Sequence, residues 1–386
     1  MNRVVIAAYG RSAIGRANKG SLRNVHPVDF GAEVLQGVLA RVPALDPRDI
    51  TDVVVGCAKP EGVQGFNMGK LLCLRAGLPF DVAAQTVNRF CASGLQAIAT
   101  AAAMIELGQA GVVVAGGVEK MTGVPMGARE DIRSGWLSEN APAAYMPMGI
   151  TAENVAARCR ISRRELDQFA LESHQKAAAA QEAGKFAEEI IPVHGLDGDG
   201  NSFIFDRDEG IRPQTTLEKL AALKPAFRED GVVTAGNASQ MSDGAGFVVM
   251  MSEQKAAALG IVPIAKFLDY AVAGVDPSYM GLGPIRALPR VMKQSGLSVS
   301  QMDVIELNEA FAAQALPCMR ELSLPAGRVN PNGGAIALGH PLGATGAFLT
   351  CKLLSELRRR EGRYGLVTMC VGGGMGAAGI YEMVSP

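Results

Sequence analysis

Apolar runs alternate with amphipathic segments along the first third of the chain. Residues 2–9 and 52–56 are short apolar runs typical of buried strands, and residues 110–115 form a third run that ends at two glycines. Residues 28–42 and 69–77 carry apolar side chains at helical spacing, and the first of these segments stops before a proline. Strands that alternate with helices predict an α/β unit with a mostly parallel sheet.

The same order of elements returns in the last third of the chain. We predict strands over 263–271, 303–306 and 365–369 and a helix over 284–296, which ends at a glycine. The run at 303–306 resembles the run at 52–55, and Gly343 precedes a helix as Gly94 does. These matches recur at a nearly constant offset of about 250 residues, which indicates two duplicated halves.

The middle of the chain has a different character. It contains the turn-forming sequence DGDGN at 197–201 and a charged amphipathic helix predicted over 162–184. Because this stretch has its own amphipathic helix, we interpret it as an inserted subdomain rather than a linker. The predicted division is an N-terminal half at 1–118, an inserted loop domain at 119–241 and a C-terminal half at 242–386.

Composition narrows the classes of function. The chain has 386 residues, 48% of them hydrophobic, and a formal net charge of −1 without a basic tail, so we expect neither nucleic acid nor a membrane surface as a main partner. Seven scattered cysteines and four distant histidines give no disulfide framework and no metal site. The first apolar run is too short for a signal peptide or a membrane span. We therefore expect a cytoplasmic protein.

Cys91 lies in the stretch VNRFCASGLQAI, where an apolar run meets small residues and then a helical pattern. A thiol at a helix N-terminus faces free N–H groups and the positive end of the helix dipole, which lower its pKa and favour a nucleophilic thiolate. The alternative is that Cys91 is a small buried hydrophobic residue. This stretch alone does not decide between the two.

Three polar sites in the C-terminal third favour the catalytic interpretation. Asn308 and Glu309 directly follow a predicted strand, and ligands in α/β proteins bind at the carboxyl ends of strands. His340 is held between a glycine and a proline just before a helix. Cys370 ends an apolar strand, and the glycines from Gly372 onward let backbone N–H groups point at a bound oxygen.

Taken together, these stretches resemble the thiolase family along the whole chain. The matching motifs are VNRFCASGLQA (87–97), GGVEKM (116–121), PMGITAENVA (147–156), TAGNAS (234–239), NEAFAAQA (308–315), GGAIALGHPLGATGA (333–347) and CVGGGMG (370–376). Residues 208–227 and 239–245 further resemble the degradative 3-ketoacyl-CoA thiolases. The resemblance implies a thiolase-like α/β fold, with a duplicated five-layered α-β-α-β-α core and an inserted loop domain.

The resemblance also implies catalytic roles. Cys91 is expected to be the acyl-accepting nucleophile, and His340 to activate it and then to deprotonate the incoming coenzyme A thiol. Cys370 is expected to move a proton at the substrate α-carbon. Asn308 is expected to hold a water that forms one oxyanion hole with His340, and the backbone N–H groups of Cys91 and Gly372 to form the other.

Binding roles follow from the same resemblance. Arg212 and Ser239 match positions that contact coenzyme A, whereas Lys219 stands where relatives carry a small polar residue. The residues expected to bind coenzyme A and the acyl chain are Arg212, Ser239, Met148, Phe227, Ala310 and Phe311. Pro147 replaces a histidine of the short-chain biosynthetic thiolases, so we expect a longer apolar channel beside Met148.

The expected activity is thiolytic cleavage of a 3-ketoacyl-CoA by coenzyme A, as in fatty acid β-oxidation. The alternative is a short-chain acetoacetyl-CoA thiolase that works in the condensing direction. Coenzyme A and acyl-CoA are then substrates, and no cofactor is expected. We expect a homodimer or homotetramer, with a β-oxidation hydratase/dehydrogenase as a candidate partner.

Overall fold

The computed structural model describes residues 3–128 and 130–384. Its strands are β1 (Val4–Arg11), β2 (Gly15–Arg16), β3 (Asp52–Gly56), β4 (Ala83–Val87), β5 (Val112–Lys120), β6 (Val193–Leu196), β7 (Ser202–Phe205), β8 (Ser242–Ser252), β9 (Ala265–Gly274), β10 (Val304–Leu307), β11 (Tyr364–Val371) and β12 (Met375–Met383). Its helices are α1 (Pro27–Ala40), α2 (Met68–Arg75), α3 (Ser93–Glu106), α4 (Gly135–Asn140), α5 (Met148–Arg158), α6 (Arg163–Glu182), α7 (Leu217–Ala221), α8 (Glu253–Ala258), α9 (Gly283–Ser295), α10 (Ala312–Glu321), α11 (Ala335–Leu338) and α12 (Thr345–Arg359). Asn2, where the first predicted strand began, lies outside the described residues.

The strand pairings repeat between the two halves. In the N-terminal half β3 pairs parallel with β5, β5 pairs antiparallel with β8, and β8 pairs antiparallel with β1. In the C-terminal half β10, β11, β12 and β9 pair in the same order and with the same directions. The duplication is therefore confirmed.

The expectation of a mostly parallel sheet is wrong, because each half is mixed. The reason is visible at the end of β11, where a turn of only three residues leads into β12. So short a connection forms a hairpin, and hairpin strands are antiparallel.

One predicted boundary also needs correction. Residues 242–252, assigned to the C-terminal half, form β8, which pairs with β1 and β5 of the N-terminal half. The chain thus returns from the insertion to complete the first sheet before the second half begins. A short pairing of β1 with β9, through Val5 and Ile6, then joins the two halves into one continuous sheet.

Alternating side chains along the buried strands build the layers. Val53 and Val55 of β3 face a core that includes α1 and α2, whereas Val54 faces a second core formed with α3 and α12. A third core lies on the far side of β10 and β11, where α9 and α10 cover the sheet. The order of layers is α1/α2, first half-sheet, α3/α12, second half-sheet, α9/α10. This is the five-layered core that the resemblance to the thiolase family implied.

The charged helix of the insertion is present as α6. Ser162 caps its N-terminus by accepting from the backbone N–H of Glu165, and the Glu165 carboxylate in turn accepts from the backbone N–H of Ser162. Gly184 follows the helix with a φ of 68°. None of the helices in residues 3–128 and 130–384 combines the length and the apolar character needed to cross a bilayer.

Candidate active site

Cys91 lies in a tight turn between β4 and α3. The preceding residue, Phe90, has a φ of 44°, an uncommon conformation for a bulky side chain. Ser93 stabilises it, because its Oγ accepts from Arg89 N at 2.9 Å and donates to Phe90 O at 2.6 Å. Asn88 Oδ1 accepts from Phe90 N at 2.8 Å. The strained turn therefore holds the thiol at the start of α3.

The predicted lowering of the Cys91 pKa is wrong. Cys91 is only 9% exposed, and burial raises the pKa of its thiol to about 11. The backbone N–H of Gly372 acts in the opposite direction, and the negative charge of Glu119 raises the pKa further. Desolvation outweighs the helix N-terminus here. The thiol is therefore protonated at neutral pH, so its attack on a carbonyl requires a base.

His340 is the candidate for that base, since Leu342 of the same turn packs beside Cys91. Its ring Nδ1 lies 2.6 Å from Thr345 Oγ1, at the start of α12, and its Nε2 lies 3.4 Å from Asn308 Nδ2. Because an amide nitrogen donates, this geometry puts the ring proton on Nδ1 and leaves the lone pair on Nε2. Burial lowers the pKa of His340 to about 4, so the ring is neutral at pH 7.

Asn308 follows the carboxyl end of β10, as predicted. Its backbone N–H donates to Thr368 O on β11 at 3.0 Å, which fixes it at the edge of the sheet. Its Oδ1 is buried and has no hydrogen-bond partner among the described residues. A buried amide therefore presents an unused acceptor beside the His340 ring.

Cys370 lies fully buried near the end of β11, and the nearby thiols of Cys91 and Cys318 help burial to raise its pKa. The hairpin after it requires glycine, because Gly373 and Gly374 have φ values of 77° and 87°. A side chain at Gly374 would also meet Val275 O at 2.3 Å. The structure thus brings Cys91, Cys370 and the Gly372 peptide together.

The predicted acyl-binding residues also come together. Met148, Ala310 and Phe311 belong to the same apolar cluster as Cys370. The rings of Phe227 and Phe311 meet edge to face at 6.2 Å. A side chain at Gly149 would lie 2.1 Å from the Phe227 ring, so the glycine lets that ring pack against α5.

Ser239 contacts this region through its backbone, whereas Arg212 binds Gln240 and His174. Arg212 Nη2 donates to Gln240 Oε1 at 3.2 Å, and its backbone N–H donates to His174 Nδ1 at 3.2 Å. Ser239 N donates to Ala310 O at 3.0 Å. By contrast, Lys219 Nζ bonds Gln214 O at 2.8 Å, within its own turn.

Two buried carboxylates lie near the site: Glu119, which was not singled out from the sequence, and Glu309, which was named there only beside Asn308 at a strand end. Glu119 accepts from backbone N–H groups on both sides of the site, including that of Gly343 at 2.8 Å. Glu309 accepts from Ser173 Oγ at 2.6 Å and from Asn330 Nδ2 at 2.8 Å. Both lie within motifs that we had quoted, GGVEKM and NEAF, but only their burial reveals their role.

The duplicated fold and this site define a thiolase. The chain matches the thiolase N-terminal domain over residues 4–254 and the thiolase C-terminal domain over residues 261–383. It therefore belongs to the thiolase family.

Individual relatives span the whole chain. A protein of Bacillus subtilis (strain 168) named 3-ketoacyl-CoA thiolase is 49% identical over 391 residues, which cover 99% of this chain and 100% of that protein. A 3-ketoacyl-CoA thiolase of Vibrio cholerae (strain O395) is 46% identical, with 99% and 100% covered. The crystal structure of the Bacillus anthracis acetyl-CoA acetyltransferase superposes with a TM-score of 0.92 at 41% identity and covers 100% of this chain and 99% of that one.

Proposed function

We propose that this protein is an acyltransferase that cleaves 3-ketoacyl-CoA with coenzyme A, giving acetyl-CoA and a shortened acyl-CoA. The observation that carries the proposal is a pair of buried thiols, Cys91 and Cys370, close enough for one thiolate to raise the pKa of the other, beside the turn that holds the neutral His340 and packs on Cys91 through Leu342. The relatives named 3-ketoacyl-CoA thiolase, which match over full length, support the same substrate class.

In the first half-reaction Cys91 Sγ attacks the C3 ketone while its proton passes to His340 Nε2. The new oxyanion is stabilised by preorganised donors, and the C2–C3 bond then breaks to leave an acyl group on Cys91. The electron pair of that bond becomes the enolate of acetyl-CoA, which takes its proton from the Cys370 thiol. Asn308, with a water and His340, serves as an oxyanion hole, and the backbone N–H groups of Cys91 and Gly372 serve as the other.

The second half-reaction returns the enzyme to its starting state. The proton on His340 passes to the Cys370 thiolate, which leaves the imidazole neutral again. His340 then takes the thiol proton of coenzyme A while the coenzyme A sulfur attacks the acyl group on Cys91. The departing Cys91 thiolate recovers a proton from His340. The net result is transfer of the coenzyme A proton to the methyl carbon of acetyl-CoA.

Substrate binding is assigned to the residues that surround these groups. We propose that Met148, Phe227, Ala310 and Phe311 line the pantetheine and acyl channel, because they share the apolar cluster of Cys370 or contact it through a ring. Arg212 and Ser239 are proposed to contact the more polar parts of coenzyme A. Arg212 is suited to this because Arg16, which together with burial lowers the pKa of Arg212, adds to the positive charge there.

The proposed assembly is a homodimer or homotetramer. Strand β4 lies at the edge of the sheet, and its outer edge pairs with no strand of residues 3–128 and 130–384. Phe66 and Phe80, in the segments that flank α2, are 91% and 88% exposed. An unpaired edge beside exposed aromatic rings is typical of an interface. We further propose a cytoplasmic location and keep a β-oxidation hydratase/dehydrogenase as a candidate partner.

A thiolysis assay tests the proposal. Purified protein is mixed with a 3-ketoacyl-CoA and free coenzyme A, and the loss of the ketoacyl thioester is followed together with the appearance of acetyl-CoA. We expect turnover by the wild type and none by Cys91→Ala. A folded wild type that binds coenzyme A without turnover would contradict the proposal, and would favour a binding protein instead.

A further inference from the structure

Glu119 is a fully buried carboxylate at the end of β5. Its Oε2 accepts from Ala58 N at 2.7 Å and from Gly343 N at 2.8 Å. Its Oε1 accepts from Lys59 N at 3.2 Å and from Gln64 Nε2 at 3.0 Å. The Cys57 thiol also points at Oε1, at 3.9 Å.

All of these neighbours are donors. A protonated carboxyl would turn its O–H toward one of them, so the ionised form is the one that this geometry satisfies. Within residues 3–128 and 130–384, no lysine or arginine forms an ion pair with Glu119. A buried charge held by N–H groups and one thiol is costly to maintain. Burial raises the pKa of Glu119 and so opposes the ionised form that these donors favour.

The Gly343 peptide connects Glu119 to both catalytic elements. Gly343 follows His340 by three residues, and a side chain there would meet Ala58 N at 2.5 Å and Glu119 Oε2 at 2.7 Å. On its other side, a side chain at Gly94 in α3 would lie 2.8 Å from Gly343 O. The peptide is thus clamped between Glu119 and the first turn of the helix that begins beside Cys91.

We infer that Glu119 is a positioning residue for the proposed acyl transfer: its carboxylate fixes the Gly343 peptide and so holds the His340 turn against the Cys91 turn. The two turns pack directly on each other, with Leu342, Ala58 and Met121 around the thiol. The negative charge of the same carboxylate also raises the pKa of the Cys91 thiol and disfavours its ionisation before substrate arrives. This inference rests on the proposed function.

Three variants separate geometry from charge. Glu119→Gln keeps the shape but removes the charge and turns an amide N–H₂ toward the N–H donors. Glu119→Asp keeps the charge but withdraws it by one methylene. Asp243→Asn is the matched control. Asp243 is also a buried carboxylate, and it pairs in register with Lys120, the residue after Glu119. It binds Thr122 instead of the catalytic turns.

Two readouts are measured, steady-state thiolysis and the rate at which iodoacetamide alkylates Cys91 at pH 8. A misplacement of catalytic groups by about 1 Å costs on the order of 10²-fold, so kcat should fall by roughly that factor in both Glu119 variants while the KM for coenzyme A stays near wild type. Alkylation should rise about tenfold in Glu119→Gln only, because that variant alone removes the negative charge that raises the pKa of the thiol. Asp243→Asn should alkylate like the wild type.

Two results would overturn the inference: an undiminished kcat in folded Glu119→Gln, or alkylation that falls in parallel with kcat. If Glu119→Gln does not fold, Gln64→Leu, which removes one donor, should show smaller changes in the same directions, and unchanged rates there would contradict the inference. Absence of thiolysis in the wild type contradicts the proposed function instead, so the two failures are distinguishable.

Discussion

The buried histidines predict that the protein loses stability in mild acid. Burial lowers the pKa of His340 and of His174 from 6.5 to about 4, and Arg212 adds to the effect on His174. Between those two pH values the unfolded chain binds a proton that the folded chain does not. Stability therefore falls as the pH drops from 6.5 toward 4, and neither histidine contributes above that range.

The magnitude follows from the two pKa values. Each histidine has a pKa of 6.5 in the unfolded chain and about 4 in the folded chain. Lowering the pH from 7 to 5 therefore reduces the free energy of unfolding by about 2 kcal/mol for each histidine. The variants His340→Gln and His174→Gln should each reduce the pH-dependent loss by about that amount. Buried carboxylates with raised pKa values, such as Glu306 at about 7, act in the opposite direction. The contribution of these carboxylates is the same in every variant, so it cancels when a variant is compared with the wild type over the same pH interval.

The assay is the urea dependence of unfolding at pH 7 and pH 5, followed by fluorescence and circular dichroism. His194→Gln, which removes a side chain that is 60% exposed, is the matched control for deleting an imidazole. A loss between pH 7 and pH 5 that is the same in His340→Gln as in the wild type would refute the reasoning. It would mean that His340 titrates alike in the folded and unfolded chains, and that burial does not lower its pKa.

Three further predictions concern the proton shuttle, the acyl chain and the assembly. Cys370→Ala should still accept an acetyl group on Cys91 but lose exchange of the acetyl-CoA α-protons with solvent deuterium by about 10²–10⁴-fold, and unchanged exchange would exclude the role. Because Pro147 precedes α5 and leaves Met148 beside Gly372, kcat/KM should be higher for 3-ketooctanoyl-CoA than for acetoacetyl-CoA. Each extra buried methylene is worth about 0.8 kcal/mol. The reverse preference would indicate the short-chain alternative. Light scattering should show a dimer or tetramer, and a fully active monomer at micromolar concentration would contradict the proposed interface.

Local patterns in the sequence predicted most of the fold. The capping residues of α6 and the glycine after α9 fix the ends of both helices, and both are visible in the sequence. The alternation of Val53, Val54 and Val55 between two cores is likewise a local property of a strand buried on both faces. These features depend only on neighbouring residues.

The pairing of strands that lie far apart in the sequence was harder to predict. Strand β8 follows the insertion, more than a hundred residues after β5, and its apolar run would fit either half-sheet equally well. Only its pairing with β1 and β5 assigns it to the N-terminal half. The same limit applies to strand direction, because a buried apolar run looks alike in parallel and antiparallel sheets.

The sequence predicted residue types at the candidate site but not their electrostatics. The motifs predicted Cys91, Asn308, His340 and Cys370 as a set, and the structure pairs His340 with Asn308 and places the thiols of Cys91 and Cys370 near each other. The sequence placed Cys91 at a helix N-terminus correctly but could not show its burial, which reverses the direction of its pKa shift. Glu119 was missed because a glutamate in a glycine-rich strand end gives no sign of the N–H groups that converge on it.

The central claim is that Cys91 carries the acyl group. It is tested most directly by exposing the protein briefly to acetyl-CoA, quenching in acid, and locating the added mass by peptide mass spectrometry. The account predicts a single acetyl group on the peptide that contains Cys91, removed when coenzyme A is added before the quench. An acetyl group on Cys370 instead, or no acetyl group on a preparation that catalyses thiolysis, would contradict it.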